Sequence, residues 1–346
     1  MTERTDAAGA LLPASDSAGA AEATASADAM GSGDTEAPFV RLRLAVAYDG
    51  SGFNGWSRQP GQRTVQGVLE TALATLFRRT GVAPRLTVAG RTDAGVHASG
   101  QVAHLDVPAA ALRAVTRPRR GHPEQATDAS RVLARRLTGI LGTDSDVVVH
   151  RIDQAPPGFD ARFSALWRRY EYRIADASAR RDPLERHRTV VVPRQLDVDA
   201  MTTAVDLLVG LHDFAAYCKP RAGATTIRTL QAYRWSRDAD GVLVASLQAD
   251  AFCHSMVRAL IGAAVAVGEG RLDAEAPARL LQARERTSEF MVMAAKGLVL
   301  TEVGYPDDHE LETRAALTRA RRELRIAGVV DVRHAAPDPG DGDLAG

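Results

Sequence analysis

The sequence predicts an α+β protein built from two similar halves, each with mostly antiparallel or mixed strands and helices on one face. Three observations carry this. Stretches in which apolar residues alternate interleave with stretches in which they recur at helical spacing. Short connections such as Asp240-Gly241 join neighbouring strands in the manner of hairpins. The order strand, helix, strand pair, helix, strand occurs twice, as an old duplication would leave it, although no residue-level repeat accompanies it.

Residues 1–37 are dominated by Ala, Ser, Gly, Asp and Thr and lack the apolar surface needed to offset chain entropy, so they read as a disordered acidic tail. Val40 to Tyr48 alternates as a strand. Val65, Val68, Leu69, Ala72, Leu73, Leu76 and Phe77 share one helical face, and Gly81 stops the helix. Arg85 to Ala89 is a strand entering a glycine-rich loop and Gln101 to Val107 a strand leaving it. Thr116 to Thr127, rich in Pro and Arg, reads as a surface loop. A helix over Ser130 to Leu141 and a strand over Asp146 to Ile152 complete a first half, 38–155.

The second half, 156–306, opens with a strand over Arg168 to Ile174. A helix from Val198 to Val209 follows, stopped by Gly210, then strands near 226–236 and 242–249. Helices over His254 to Val267 and Ala274 to Arg284 precede a last strand, Leu298 to Val303. Residues 307–346 read as a helical extension ending in a Pro- and Gly-containing tail.

Composition excludes several classes. No window of about 18 apolar residues could span a membrane, and no apolar run follows Arg4 as a secretory signal requires. Cys218 and Cys253 lack zinc or redox-motif spacing and are too few for a secreted disulfide scaffold. A cytoplasmic protein is expected. The charge is distributed unevenly: residues 1–37 hold seven acids and one base, whereas Pro38 to Arg333 carries a net +9. Forty-one of the 43 basic residues are Arg, which suits bidentate phosphate contact and is also what a GC-rich genome would give. A basic body favours an anionic partner, nucleic acid first.

Gly50-Ser51-Gly52-Phe53-Asn54-Gly55 fits GxGxxG after a strand. A dinucleotide site needs that turn to open directly into a helix, however, and here Trp56, Pro60 and Gly61 intervene. It reads as a tight glycine loop, so no nucleotide cofactor is expected. No P-loop, HExxH or GxSxG motif occurs, and the histidines form no close pair, so no metal site is expected either.

The string Ala89 to Val102 (AGRTDAGVHASGQV) places an Arg, an Asp and a His among three glycines between two strands. Such a loop displays function, and Arg91 would help keep Asp93 ionised, though Asp93 could equally bond local backbone N–H groups in a turn. The string decides between them: Gly90 to Val102 closely resembles the signature loop of the tRNA pseudouridine synthase A family. Further segments resemble that family in order: Leu44 to Trp56, Thr64 to Gln66, Phe159 to Tyr172, Gly210 to Phe214, Ala251 to Gly262 and Gly297 to Pro306. The likeness covers about 42 to 306 and leaves out the acidic tail, the 116–127 loop and the C-terminal extension.

The resemblance implies the pseudouridine synthase fold, its halves joined around a central cleft, and an isomerase that converts uridine to pseudouridine at positions 38–40 of the tRNA anticodon stem-loop. It implies a homodimer and no metal, redox or nucleotide cofactor. It assigns the catalytic carboxylate to Asp93. That group acts either as nucleophile or by stabilising and deprotonating the ribose as a glycal forms; both roles need it ionised. Arg258 is similar to the family's ion-pair partner of that Asp, and its apolar neighbours make an unpaired Arg there expensive. Tyr170 resembles the ring that receives the flipped base, with Tyr172 and Ile174 on the same strand face. Arg91 resembles the contact to the flipped nucleotide, and Leu300 part of the pocket wall. A catalytically silent RNA-binding protein would have no reason to keep an ionised Asp paired with Arg. A retaining glycosidase would need two carboxylates, and only one candidate is present.

Overall fold

The computed structural model describes residues 38–117, 129–220, 225–283 and 287–320. The readings of 1–37 as a disordered tail, of nearly all of the 116–127 loop and of the C-terminal tail lie outside these residues.

Ten strands form one mixed, mostly antiparallel sheet. In chain order they are β1 (Phe39–Tyr48), β2 (Thr87–Val88), β3 (His97–Pro108), β4 (Val147–Gln154), β5 (Trp167–Ala175), β6 (Val190–Val191), β7 (Gly210–Asp213), β8 (Ile227–Arg237), β9 (Leu243–Ala249) and β10 (Leu298–Gly304). The main path runs β4-β1-β3-β10-β5-β9-β8-β7, with β2 added to β3 and β6 to β5. The last strand therefore inserts at the centre. It pairs parallel with β3 and antiparallel with β5, and so joins strands contributed by the two halves of the sequence.

Alternation explains the buried face: Leu42, Leu44, Val46 and Tyr48 of β1, and Tyr170, Tyr172 and Ile174 of β5, are all buried. Helix α1 (Val65–Phe77) begins where Thr64 accepts the Gly67 N–H, and it buries Leu69, Leu73 and Phe77. The remaining helices are α2 (Ala109–Thr116), α3 (Ala129–Leu141), α4 (Val198–Asp206), α5 (Met256–Gly268) and α6 (Ala276–Ala283). Residues 311–320 are also helical. Helix α5 is buried along its whole length except at Arg258, so it behaves as a core helix rather than an amphipathic one.

Several local expectations are corrected. β2 holds only two residues of the expected five, because Leu86 gives its N–H to the buried carboxylate of Glu70 instead of to a strand. β3 begins four residues before Gln101, passing through Gly100, whose lack of a side chain lets β10 come close. Helix α4 ends at Asp206, and Gly210 to Asp213 forms the edge strand β7 rather than part of a helix exit. Helix α2 and the two-residue strand β6 carry no clear periodicity and were not expected from the sequence. α5 starts two residues later than expected, which matters for the site.

Candidate active site

Asp93 stands on the loop between β2 and β3, and that loop is held at many points through its backbone. Ala89 N–H bonds the Val102 carbonyl at 2.9 Å, and Gln101 gives its side-chain amide to the Gly90 carbonyl at 2.8 Å. Thr92 is hydrogen-bonded through its hydroxyl to Tyr48 Oη at 2.8 Å, and its carbonyl accepts the Trp56 N–H. Gly95 N–H reaches the Phe53 carbonyl, and Val96 N–H closes the turn on the Asp93 carbonyl.

The glycine loop that mimics a dinucleotide motif is the shelf beneath this one. α1 begins only at Val65, so no helix N-terminus opens from the turn. A Cβ on Gly50 would lie 2.1 Å from the Val96 carbonyl oxygen, and one on Gly55, at φ +85°, would lie 2.8 Å from the Thr92 carbonyl oxygen. Both glycines permit backbone-to-backbone approach. His97 locks the exit: its Nδ1 accepts the Gly50 N–H at 3.0 Å, which places the ring proton on Nε2, near the His187 and Lys296 carbonyls at 3.0 and 3.1 Å. The Asp49 carboxylate also approaches Nδ1, at 3.1 Å, but it accepts the Ser51 N–H, and the backbone donor already occupies that nitrogen.

The Asp93 side chain itself is about one-third exposed, and the side chain it meets is the imidazole of His254, with Nε2 3.5 Å from Oδ1. Tyr170 lies close by: burial pushes its phenol well above the usual value, and the charges of Tyr48 and Asp93 add to the rise, so the ring stays neutral. Its ring packs edge-to-face with Phe252 at 5.2 Å. Leu300 pairs with Tyr170 on one side and Ala98 on the other, a fully buried residue between the aromatic strand and the strand leaving the Asp loop. Arg91 is exposed and engages no side chain or backbone group among the described residues.

Arg258 is not the partner of Asp93 in this structure. Its Nε donates to the Met293 carbonyl at 2.6 Å, and its charge acts on Tyr172. The reason lies at the start of α5. The His254 carbonyl accepts the Lys219 N–H at 2.9 Å instead of a helical donor, and Ser255 takes a left-handed φ of +65°. His254 is thereby held outside the helix and swung to the carboxylate. Cys218 and Cys253, whose spacing suggested no pairing, are joined by a disulfide across the same junction.

Sequence reasoning missed three residues. His254 figured only as a helix start, and Phe252 lay inside a motif without a role. Arg168 is buried beneath the loops, where it donates to the carbonyls of Ala89 and Asp250, each at 2.7 Å, and of Arg162 at 3.0 Å. One guanidinium thus ties the entry of the Asp loop to the two segments facing it. Burial lowers its pKa against the opposing pull of the Asp250 carboxylate, and among the described residues no carboxylate forms an ion pair with it. Among the described residues no cluster of three or more His, Cys, Asp or Glu could hold a metal, and no helix is long and apolar enough to cross a membrane.

A family model described as tRNA pseudouridine synthase matches residues 204–306. The chain is 60% identical over 286 residues to tRNA pseudouridine synthase A of Leifsonia xyli, covering 82% of this chain and 98% of that protein. Proteins of the same name from Streptomyces griseus and Mycobacterium leprae are 53% and 49% identical, covering 86% and 82% of this chain and 99% and 96% of their own lengths.

Proposed function

The chain belongs to the tRNA pseudouridine synthase family, which isomerises uridine to pseudouridine in tRNA, and from that premise we propose that Asp93 is the catalytic carboxylate. The observation that carries this is the contrast between a backbone bonded at nearly every residue of the loop and a carboxylate left partly open near Tyr170. A preorganised group of this kind loses little on meeting its substrate.

The reaction breaks N1–C1′, turns the base and forms C5–C1′, while the C5 proton leaves and N1 gains one, so no redox equivalent is consumed. Asp93 serves as nucleophile, or as the base that deprotonates the ribose. Tyr170 receives the flipped uracil against its face, and its buried, neutral phenol adds no competing charge. Leu300 closes the wall behind that ring. Arg91, exposed and uncommitted, braces the phosphate backbone where the base has left its stack. His254 is the cation-capable group in direct contact with the carboxylate, whereas Arg258 holds the Met293 carbonyl behind Tyr172. The substrate is the anticodon stem-loop at positions 38–40, held across a homodimer in the cytoplasm, without metal or nucleotide cofactor. The net +9 of the body supports shape-led, salt-sensitive RNA binding.

Asp93→Asn keeps the size and hydrogen bonding of the side chain and removes the charge. It should abolish tritium release from C5-labelled uridine in an unmodified transcript while tRNA affinity changes little. Release near the wild-type rate would remove Asp93 from the chemistry.

A further inference from the structure

A chain of three polar side chains, Gln101, Tyr48 and Thr92, braces the Asp93 loop from inside the protein, and none of them is more than 6% exposed. The surroundings settle the orientation of the Gln101 amide. Its Oε1 accepts the Val102 N–H at 3.1 Å, so its Nε2 is the donor to the Gly90 carbonyl at 2.8 Å and to Tyr48 Oη at 3.3 Å. The phenol in turn shares a hydrogen bond of 2.8 Å with the Thr92 hydroxyl. Burial raises the Tyr48 pKa to about 12 against the pull of these two hydrogen bonds, so the phenol stays neutral.

Stability alone is a poor reason for such a chain. Replacing both partners of a buried hydrogen bond by apolar groups of the same shape is nearly neutral, whereas a satisfied polar network specifies one arrangement of the groups it joins. The arrangement specified here is that of the loop. The chain grips it at Gly90 and at Thr92, on either side of exposed Arg91, and Asp93 is the next residue. Tyr48 also lies near enough to Tyr170 for its charge to act on that phenol, as the charge of Asp93 does. One buried hydroxyl thus adjoins both the loop that carries the carboxylate and the ring assigned to the base.

We propose that Tyr48 is a positioning residue for the isomerisation: oriented by Gln101 and acting through Thr92, its hydroxyl sets where the Asp93 carboxylate stands relative to the Tyr170 ring. This rests on the reading of Asp93 as the catalytic carboxylate. Because the phenol is buried, losing it leaves the RNA-facing surface intact and moves the carboxylate instead, and a misplacement of ~1 Å costs an enzyme roughly 100-fold.

The test measures kcat and KM for tritium release from an unmodified tRNA transcript, with thermal melts, on Tyr48→Phe, Thr92→Val, Thr92→Ser and the double variant Tyr48→Phe/Thr92→Val. Tyr48→Phe and Thr92→Val each strand one hydroxyl of the pair and should lower Tm by several degrees. The double variant removes both hydroxyls, so its Tm should lie above that of the less stable single variant. In all three, kcat should fall about tenfold or more while KM stays within about twofold of wild type. Thr92→Ser should restore the rate. A double variant that recovers kcat together with Tm, or a loss that falls on KM, would reduce the chain to packing and overturn the proposal. A Tyr48→Phe enzyme working at more than about half the wild-type rate would overturn it as well. If Tyr48→Phe does not fold, Thr92→Val and its rescue by Thr92→Ser decide by the same criteria. Asp93→Asn in the same assay separates the two readings. An inactive Asp93→Asn beside a fully active Tyr48→Phe overturns the positioning role alone, whereas an active Asp93→Asn removes the catalytic reading and this role with it.

Discussion

Gly50→Ala tests whether the Asp93 loop takes its position from the glycine shelf. A Cβ there would sit 2.1 Å from the Val96 carbonyl oxygen and 2.4 Å from its carbon, and both obstacles are backbone. Ordinary contact begins near 3.4 Å, so one strand of the loop must retreat by about 1.3 Å, a figure comparable to the ~1 Å misplacement that costs an enzyme roughly 100-fold. Overpacking of this kind destabilises by about 1–3 kcal/mol, or several degrees in Tm for a chain of this size. The control is Gly61→Ala. That glycine, unlike Gly50, has a positive φ, +68°, and nothing lies within 4 Å of its added Cβ, so its substitution carries a backbone strain of about 1–2 kcal/mol without the push. Single-turnover tritium release and thermal melts on both variants separate position from stability. Gly50→Ala should lose about two orders of magnitude in rate while still folded, and Gly61→Ala should lose stability alone. A Gly50→Ala enzyme working at more than about half the wild-type rate would refute the account of how the loop is positioned.

Three further perturbations follow from particular contacts. His254→Gln removes a half-exposed contact worth no more than about 1 kcal/mol, so single-turnover kinetics should show a rate reduced by no more than about fivefold; a thousandfold loss would make His254 part of the chemistry. Arg168→Met strands three carbonyls but relieves an unpaired buried charge, for a net loss of about 1–3 kcal/mol in urea melts, and Arg168→Lys should rescue poorly because one ammonium cannot span all three; full rescue would count against the tie. Burial raises the Asp176 carboxyl, yet the Arg237 pair and the N–H groups of Leu196 and Ser178 outweigh it and hold the group well below its usual range. With the folded value below the unfolded ~3.9, the stabilisation is complete above that value and is lost as pH falls through the folded one. Asp176→Asn should therefore cost about 2–4 kcal/mol near neutrality, with the gap to wild type narrowing below about pH 4, and urea melts showing the same gap at pH 7 and pH 2 would contradict it.

Local pattern carried much of this protein. Alternation in β1 and β5, the apolar face of α1, and the Asp240-Gly241 hairpin were legible because each depends on neighbours a few residues away. Where pattern failed, a distant group had intervened. Glu70 of α1 claims the Leu86 N–H and shortens β2, and the close approach of β10 at Gly100 extends β3. The missed residues share that property. Arg168 reads as one more Arg in a basic strand, and only its three carbonyl partners, spread over nearly half of the chain, mark it as a tie.

By itself the sequence determined the fold class, the order of most elements and the loop that bears Asp93, since these follow from periodicity, turn chemistry and a motif that is contiguous along the chain. Tertiary structure alone decided which side chain meets that carboxylate. The sequence put both His254 and Arg258 on one helix and favoured Arg258, but Lys219 captures the His254 carbonyl and Ser255 turns left-handed, so the helix starts late and His254 faces the loop. It also decided the pairing of Cys218 with Cys253. Each of these joins segments that are distant in sequence, and their meeting is set by strand order and by the places where helices begin. Neither leaves a trace in local spacing.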